Sequence, residues 1–113
     1  MTKRKEKRIN KSLLTNISQN GFEQMGVTVN ISRRGMCIAT TEVFPKCSKL
    51  QILVAVGDDI YSVSGVVAWN MKNKFAAGDN VPAGLGIRIK KADPKYVHYI
   101  KAISENAPLP QGN

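Results

Sequence analysis

Apolar and polar residues alternate with a period of two along most of this chain, the pattern of strands that bury one face. Residues 12–18 carry Leu13, Leu14 and Ile17, a modest first strand, and Gln19-Asn20-Gly21 supplies hairpin chemistry. Phe22 opens a second strand, in which Met25, Val27, Val29 and Ile31 alternate with Gln24, Gly26, Thr28 and Asn30. The first set is expected to be buried and the second wet, which leaves Asn30 on the wet face at the strand's end. Residues 36–41 read as a third strand, stopped by Pro45. A fourth spans residues 50–56, with Leu50, Ile52, Val54 and Val56 on one face. Gly57-Asp58-Asp59 then turns the chain into a long fifth strand over residues 60–71. Its Tyr61, Val63, Gly65, Val67 and Trp69 share a side, so Trp69 is assigned to the core rather than to a stacking platform, and Gly65 implies a bulge or tight bend.

Residues 72–83 form a polar loop, read as variable rather than functional. The last strand covers residues 84–90, with Leu85, Ile87 and Ile89 on one face. Asp93-Pro94 is a helix cap followed by proline at the first helical position. Beyond it Tyr96, Val97, Ile100 and Ile103 recur at three and four, a single apolar stripe that must dock on the strands. The predicted fold is all-β: a small antiparallel β-barrel of about six strands with a C-terminal α-helix, occupying residues 12–104. Residues 105–113 are expected to be a disordered tail.

Composition narrows the function. With 113 residues there is one core and no room for a two-domain enzyme cleft. The formal charge of +9 points to an anionic partner without naming it. Six of the seventeen basic residues (Lys3, Arg4, Lys5, Lys7, Arg8 and Lys11) fall in residues 1–11, which lack periodicity. They form a flexible basic arm, either a solvated tail or a segment that an anion orders.

No apolar run suits a signal peptide or a membrane span, so a cytoplasmic chain without membrane insertion is expected. In that compartment the sequons at Asn16 and Asn30 carry no meaning, and Cys37 and Cys47, ten apart, read as reduced, buried thiols. His98 has no partner at metal or triad spacing. With no acid, base and nucleophile grouping, neither catalysis nor a cofactor or metal is expected.

The chemistry concentrates in Asn30-Ile31-Ser32-Arg33-Arg34-Gly35 and in the arm. Asn30 and Ser32, two apart on extended chain, leave the same face, and Gly35 is expected to reverse the chain through a positive φ. Such a turn presents donors and acceptors to a small polar ligand. The spacing Arg4-x-x-x-Arg8 offers two guanidinium forks, which suit phosphate oxygens and the O6/N7 edge of guanine. Asn30 and Ser32 have a plainer alternative, the satisfaction of the turn's own backbone.

RxxxR followed after some twenty residues by NxSxxG resembles the PilZ domain family, receptors for the bacterial second messenger cyclic di-GMP. Gly65-Val66-Val67-Ala68-Trp69 looks like that family's GxVxW strand, and Gly84-Leu85-Gly86-Ile87-Arg88-Ile89 like its later glycine-containing strand. Two departures are Asn30, where Asp is commoner, and Ile89, where an aromatic is usual. The resemblance implies a non-enzymatic receptor that binds cyclic di-GMP through Arg4, Arg8, Asn30, Ser32 and Gly35 and changes its surface for a protein partner. Arg4 and Arg8 would contact phosphate and the guanine O6/N7 edge, and Asn30 would accept from guanine N1 or N2. Lys3, Arg33 and Arg34 are secondary candidates, with Lys3 placed where the family's residue influences ligand stoichiometry. An alternative is a small β-barrel that binds RNA or single-stranded DNA through the arm. Its seven aromatics fall mostly on predicted core faces, which disfavours that reading.

Overall fold

A computed structural model describes residues 7–71 and 83–106. Seven strands and one helix appear there: β1 (Ile9–Asn10), β2 (Leu14–Gln19), β3 (Phe22–Ile31), β4 (Gly35–Thr40), β5 (Lys49–Val56), β6 (Asp59–Met71), β7 (Ala83–Ala92) and α1 (Pro94–Asn106). The sheet runs β1-β3-β2-β5-β6-β7-β4, and pairing of β3 with β4 closes it into a six-stranded antiparallel barrel with β1 as an addition. Every pairing is antiparallel.

The turns follow from residue type. Gln19 faces Phe22 across a two-residue loop in which Asn20 and Gly21 have φ of 51° and 88°, the left-handed pair that matches strand twist. Gly57, with φ 62°, begins the equally tight turn between Val56 and Asp59. Inside the barrel Ile17, Ile31, Ile38, Ile52, Val54, Val63, Val67 and Leu85 are at most 1 % exposed. The helix closes one end: Tyr96 and Ile100 are buried in the core, and Tyr99 packs on Tyr61 with ring centroids 6.1 Å apart. Asp93 caps it as its spacing predicts, its carboxylate accepting from Lys95 N at 2.9 Å. Phe44 covers part of the core elsewhere, with Phe22 edge-on at 5.8 Å.

Several expectations change. In β3 the alternation is present, but Met25, Val27 and Val29 are about half exposed, whereas Gly26 and Thr28 face inward. Thr28 tolerates burial because its hydroxyl accepts from Leu13 N and donates to Lys11 O. A register shift between Thr28 and Asn30 then turns Ile31 into the core and Asn30 outward. The thiols are not buried either: Cys37 is intermediate and Cys47 exposed. Trp69 is 42 % exposed rather than core, because a second register shift between Val67 and Trp69 reverses the alternation. The bulge implied by Gly65 is present as a shift between Ser64 and Gly65. Residues 1–6 of the expected arm, 72–82 of the expected loop and 107–113 of the expected tail lie outside the described residues. Within the arm Ile9 and Asn10 pair with Ile31 and Asn30 as β1, and α1 extends through Asn106.

Candidate functional site

The turn between β3 and β4 is braced from within. Ser32 is fully buried; its backbone N–H donates to Gly35 O at 2.8 Å, while its hydroxyl donates to Gly35 O and accepts from Gly35 N, both at 3.1 Å. The plainer alternative therefore holds for Ser32, which satisfies its own turn. From the helix, the buried Tyr96 hydroxyl donates to Ser32 O at 2.8 Å, tying α1 to the same corner. Gly35 does not have the positive φ expected of it. Its need is for space: a Cβ there would lie 2.9 Å from Ile87 O and 3.4 Å from the Arg8 guanidinium. β4 and β7 pair at this point, Gly35 facing Arg88, so the strand carbonyl comes too near for any side chain.

Around that rigid corner the polar side chains stand outward. The bulge that turns Asn30 out of the barrel places its Oδ1 2.8 Å from Arg8 Nη1, which donates to it. Arg8 is held there because the next two residues, Ile9 and Asn10, are paired to β3. Lys7, just before it, reaches the far end of α1, where Nζ donates to Ser104 O at 3.4 Å. Arg33 and Arg34 are both exposed, but they part company: Arg34 lines a cleft of about 210 Å³ with Arg8, Gly35, Ala68, Trp69, Gly86, Ile87 and Arg88, and Arg33 does not. Arg4 and Lys3 lie outside the described residues.

Trp69, Gly86 and Arg88 line the candidate cleft, although alternation assigns Trp69 to the core and no spacing rule points to the other two. Trp69 faces Gly86 across the β6–β7 pairing, and a Cβ on Gly86 would fall 2.0 Å from Trp69 Nε1. Only glycine lets the indole lie flat on the strand, and Gly84, where a Cβ would lie 3.6 Å from the ring, continues that bed. Two glycines alternating along β7 opposite a tryptophan were the available signal. The Cys37 thiol sits beside this group, facing Gly86 on one side and Asn30 on the other. Burial pushes its pKa up, while the positive charge of Arg8 pulls the other way.

Three guanidinium groups around one aromatic face, with an amide acceptor alongside, suit a planar, anionic, hydrogen-bonding ligand. A roomier cleft of about 450 Å³ lies between β2, β5, β6 and β7 near Lys49, Ser64 and Lys90. It has two flexible ammonium groups instead of fixed forks and no aromatic ring, so the smaller cleft is the better candidate. Among the described residues no group of three or more His, Cys, Asp or Glu is placed to hold a metal. No helix among them is long and apolar enough to cross a membrane.

Residues 2–106 match the PilZ domain family. The chain belongs to that family. Solved structures agree on the fold. The PilZ domain of YcgR from Escherichia coli, determined with c-di-GMP, superposes with a TM-score of 0.68 at 16 % identity, over 90 % of this chain and 88 % of that one. The Bacillus subtilis inhibitor of motility MotI/DgrA gives 0.72 at 13 % identity, over 96 % of this chain and 54 % of that one. The K. pneumonia MrkH–c-di-GMP complex gives 0.72 at 12 %, over 94 % and 52 %. This PilZ chain thus spans about half the length of MotI and MrkH. No curated protein matches it in sequence.

Proposed function

We propose that this PilZ domain is a receptor for cyclic di-GMP that alters the surface it offers to a protein partner. The observation that carries the reading is the Arg8–Asn30 clasp, 2.8 Å long, beside a cleft shared by Arg34, Arg88 and Trp69. It is supported by membership of the PilZ family and by neighbours whose structures contain c-di-GMP.

In this reading Arg8, with Arg4, supplies forks for the ligand's phosphates and for guanine O6/N7. Asn30 exchanges its bond with Arg8 for one from guanine N1 or N2, and the Trp69 face stacks on a base. Ser32 and Gly35 hold the corner's shape, and Lys3, Arg33 and Arg34 are supporting cations. Three or four charge-assisted bonds give a gross gain of roughly 5 to 12 kcal/mol. Ordering the arm offsets about 2 to 5 kcal/mol of that. A micromolar complex, about 8 kcal/mol, is within reach.

The output follows the same contacts. Lys7 bonds to the end of α1 and Tyr96 bonds to the Ser32 corner, so a ligand that orders the arm alters the surface formed by arm and helix together. The chain acts in the cytoplasm, without cofactor or catalysis. Titration calorimetry of the folded chain with cyclic di-GMP is expected to show saturable, micromolar binding and to report the ligand ratio. A folded chain that gives no heat with cyclic di-GMP yet binds single-stranded oligonucleotides in a steeply salt-dependent way overturns the reading.

A further inference from the structure

The polar side chains that line the cleft beside the clasp can only donate. Arg8, Arg34 and Arg88 carry N–H groups and no acceptor, and the Trp69 indole adds one more N–H. The remaining walls are glycine, alanine and isoleucine, without a polar side-chain atom. Such a lining answers phosphate oxygens and the adjacent O6 and N7 acceptors of guanine. None of these side chains can accept from the N1–H and N2–H groups that mark guanine on its pairing edge. Stacking on Trp69 does not select among bases either, since each of them has a π-face.

The acceptor at this corner is Asn30, and its orientation is fixed by its neighbour. Arginine has nothing to accept with, so the carboxamide must turn Oδ1 toward it, and Arg8 Nη1 donates to that oxygen at 2.8 Å. The NH2 group is thereby aimed away from Arg8. Oδ1 keeps a second lone pair, so Asn30 offers one acceptor and one donor side by side. Guanine meets that pair with N1–H and O6. Adenine meets it equally well, with an N6–H and the lone pair of N7 or N1. A carboxylate at the same place would accept twice and never donate. It would fit the neighbouring N1–H and N2–H of guanine and oppose the lone pairs of adenine.

The two bases of a cyclic dinucleotide therefore meet unequal tests here. A base on an arginine fork must present O6 and N7 together, which guanine does; adenine sets its N6 amine against the fork. A base at Asn30 passes as either purine. We propose, resting on the cyclic dinucleotide reading above, that Asn30 gives this domain relaxed base specificity. It takes a mixed guanine–adenine cyclic dinucleotide nearly as well as cyclic di-GMP, with the guanine on a fork and the adenine at the carboxamide.

Calorimetric titrations of the full chain with cyclic di-GMP, cyclic GMP–AMP and cyclic di-AMP test the inference. In the wild-type chain the first two are expected to bind within about tenfold of each other, because one bidentate pair replaces another. Cyclic di-AMP, with no guanine for a fork, is expected to bind at least about tenfold more weakly than cyclic GMP–AMP. Asn30→Asp is expected to widen the preference for cyclic di-GMP over cyclic GMP–AMP by about tenfold or more, since it sets a carboxylate against an adenine lone pair. Asn30 faces outward, so this change leaves the core untouched, and melting curves verify the fold. The inference is overturned if the wild-type chain prefers cyclic di-GMP to cyclic GMP–AMP by more than about tenfold, if cyclic di-AMP matches cyclic GMP–AMP, or if Asn30→Asp leaves the preference unchanged. In each of those cases cyclic di-GMP still binds and the proposed function stands. A folded chain that binds none of the three overturns the proposed function, and this inference with it.

Discussion

At the corner between β3 and β4, two pairs of residues live in different physical environments. Ser32 and Gly35 are buried, bonded to each other and pressed against the Ile87 carbonyl and the Tyr96 hydroxyl. Asn30 and Arg8 are bonded to each other in contact with solvent. The first pair has no freedom to answer a ligand, and the second can exchange partners at little cost, because water screens and replaces what is broken. The proposed site is thus part frame and part clasp, and damage to the two parts should be separable. Frame changes should lower stability, and clasp changes should lower affinity.

The largest effect is expected at the frame. Gly35→Ala puts a methyl 2.9 Å from a strand carbonyl in a paired region that cannot yield, and should cost about 2–3 kcal/mol of unfolding free energy in urea titrations. At the clasp, Arg8→Lys keeps the charge and loses the fork. Affinity for cyclic di-GMP should fall by about tenfold, or about 1.4 kcal/mol, with an unchanged melting temperature. An arm acting by charge alone would barely respond, and the distinction between frame and clasp would lose its second half.

Tyr96→Phe is smaller and sharpens the boundary. Removing one buried hydrogen bond should lower stability by about 1 kcal/mol. If Tyr96 belongs only to the frame, calorimetric affinity at a temperature where the variant is folded stays the same. A parallel loss of affinity would show that α1 is energetically coupled to the ligand corner, as the proposed output requires.

How much of this was legible in the sequence depends on whether the deciding contact is local. Strand limits came within a few residues because period-two alternation and the Asn20-Gly21 turn are local signals. In β3 the outer face is the more apolar one, so hydropathy points to the wrong side as the core face. Alternation says which residues share a face, and not which face meets the core. The positions of Asn30 and Trp69 each depend on one extra residue in a strand, a bulge visible only from the partner strand's register. Arg88 joins the cleft because β7 pairs with β4 some fifty residues away in sequence, and no spacing rule reaches that far. The roles of Ser32 and Gly35 as frame turned on burial, which the NxSxxG pattern does not encode.

The finest test concerns Asn30, where the family more often has aspartate. Its Oδ1 already accepts from Arg8 Nη1, so Asn30→Asp would retain that bond, add charge to it and hold the clasp more firmly before ligand arrives. Facing guanine N1 and N2, a carboxylate accepts two donors where the carboxamide oxygen shares its place with an NH2 group. These effects oppose each other, since the stronger bond to Arg8 must be given up or shared. The net change should therefore be small, with affinity equal to wild type or improved by up to about tenfold in calorimetry. A phosphate at this position reverses the sign, because a carboxylate repels it and only the amide can donate to it. A large loss on Asn30→Asp would thus move the guanine elsewhere and leave Asn30 as a phosphate donor, while Arg8→Lys still reports a fork.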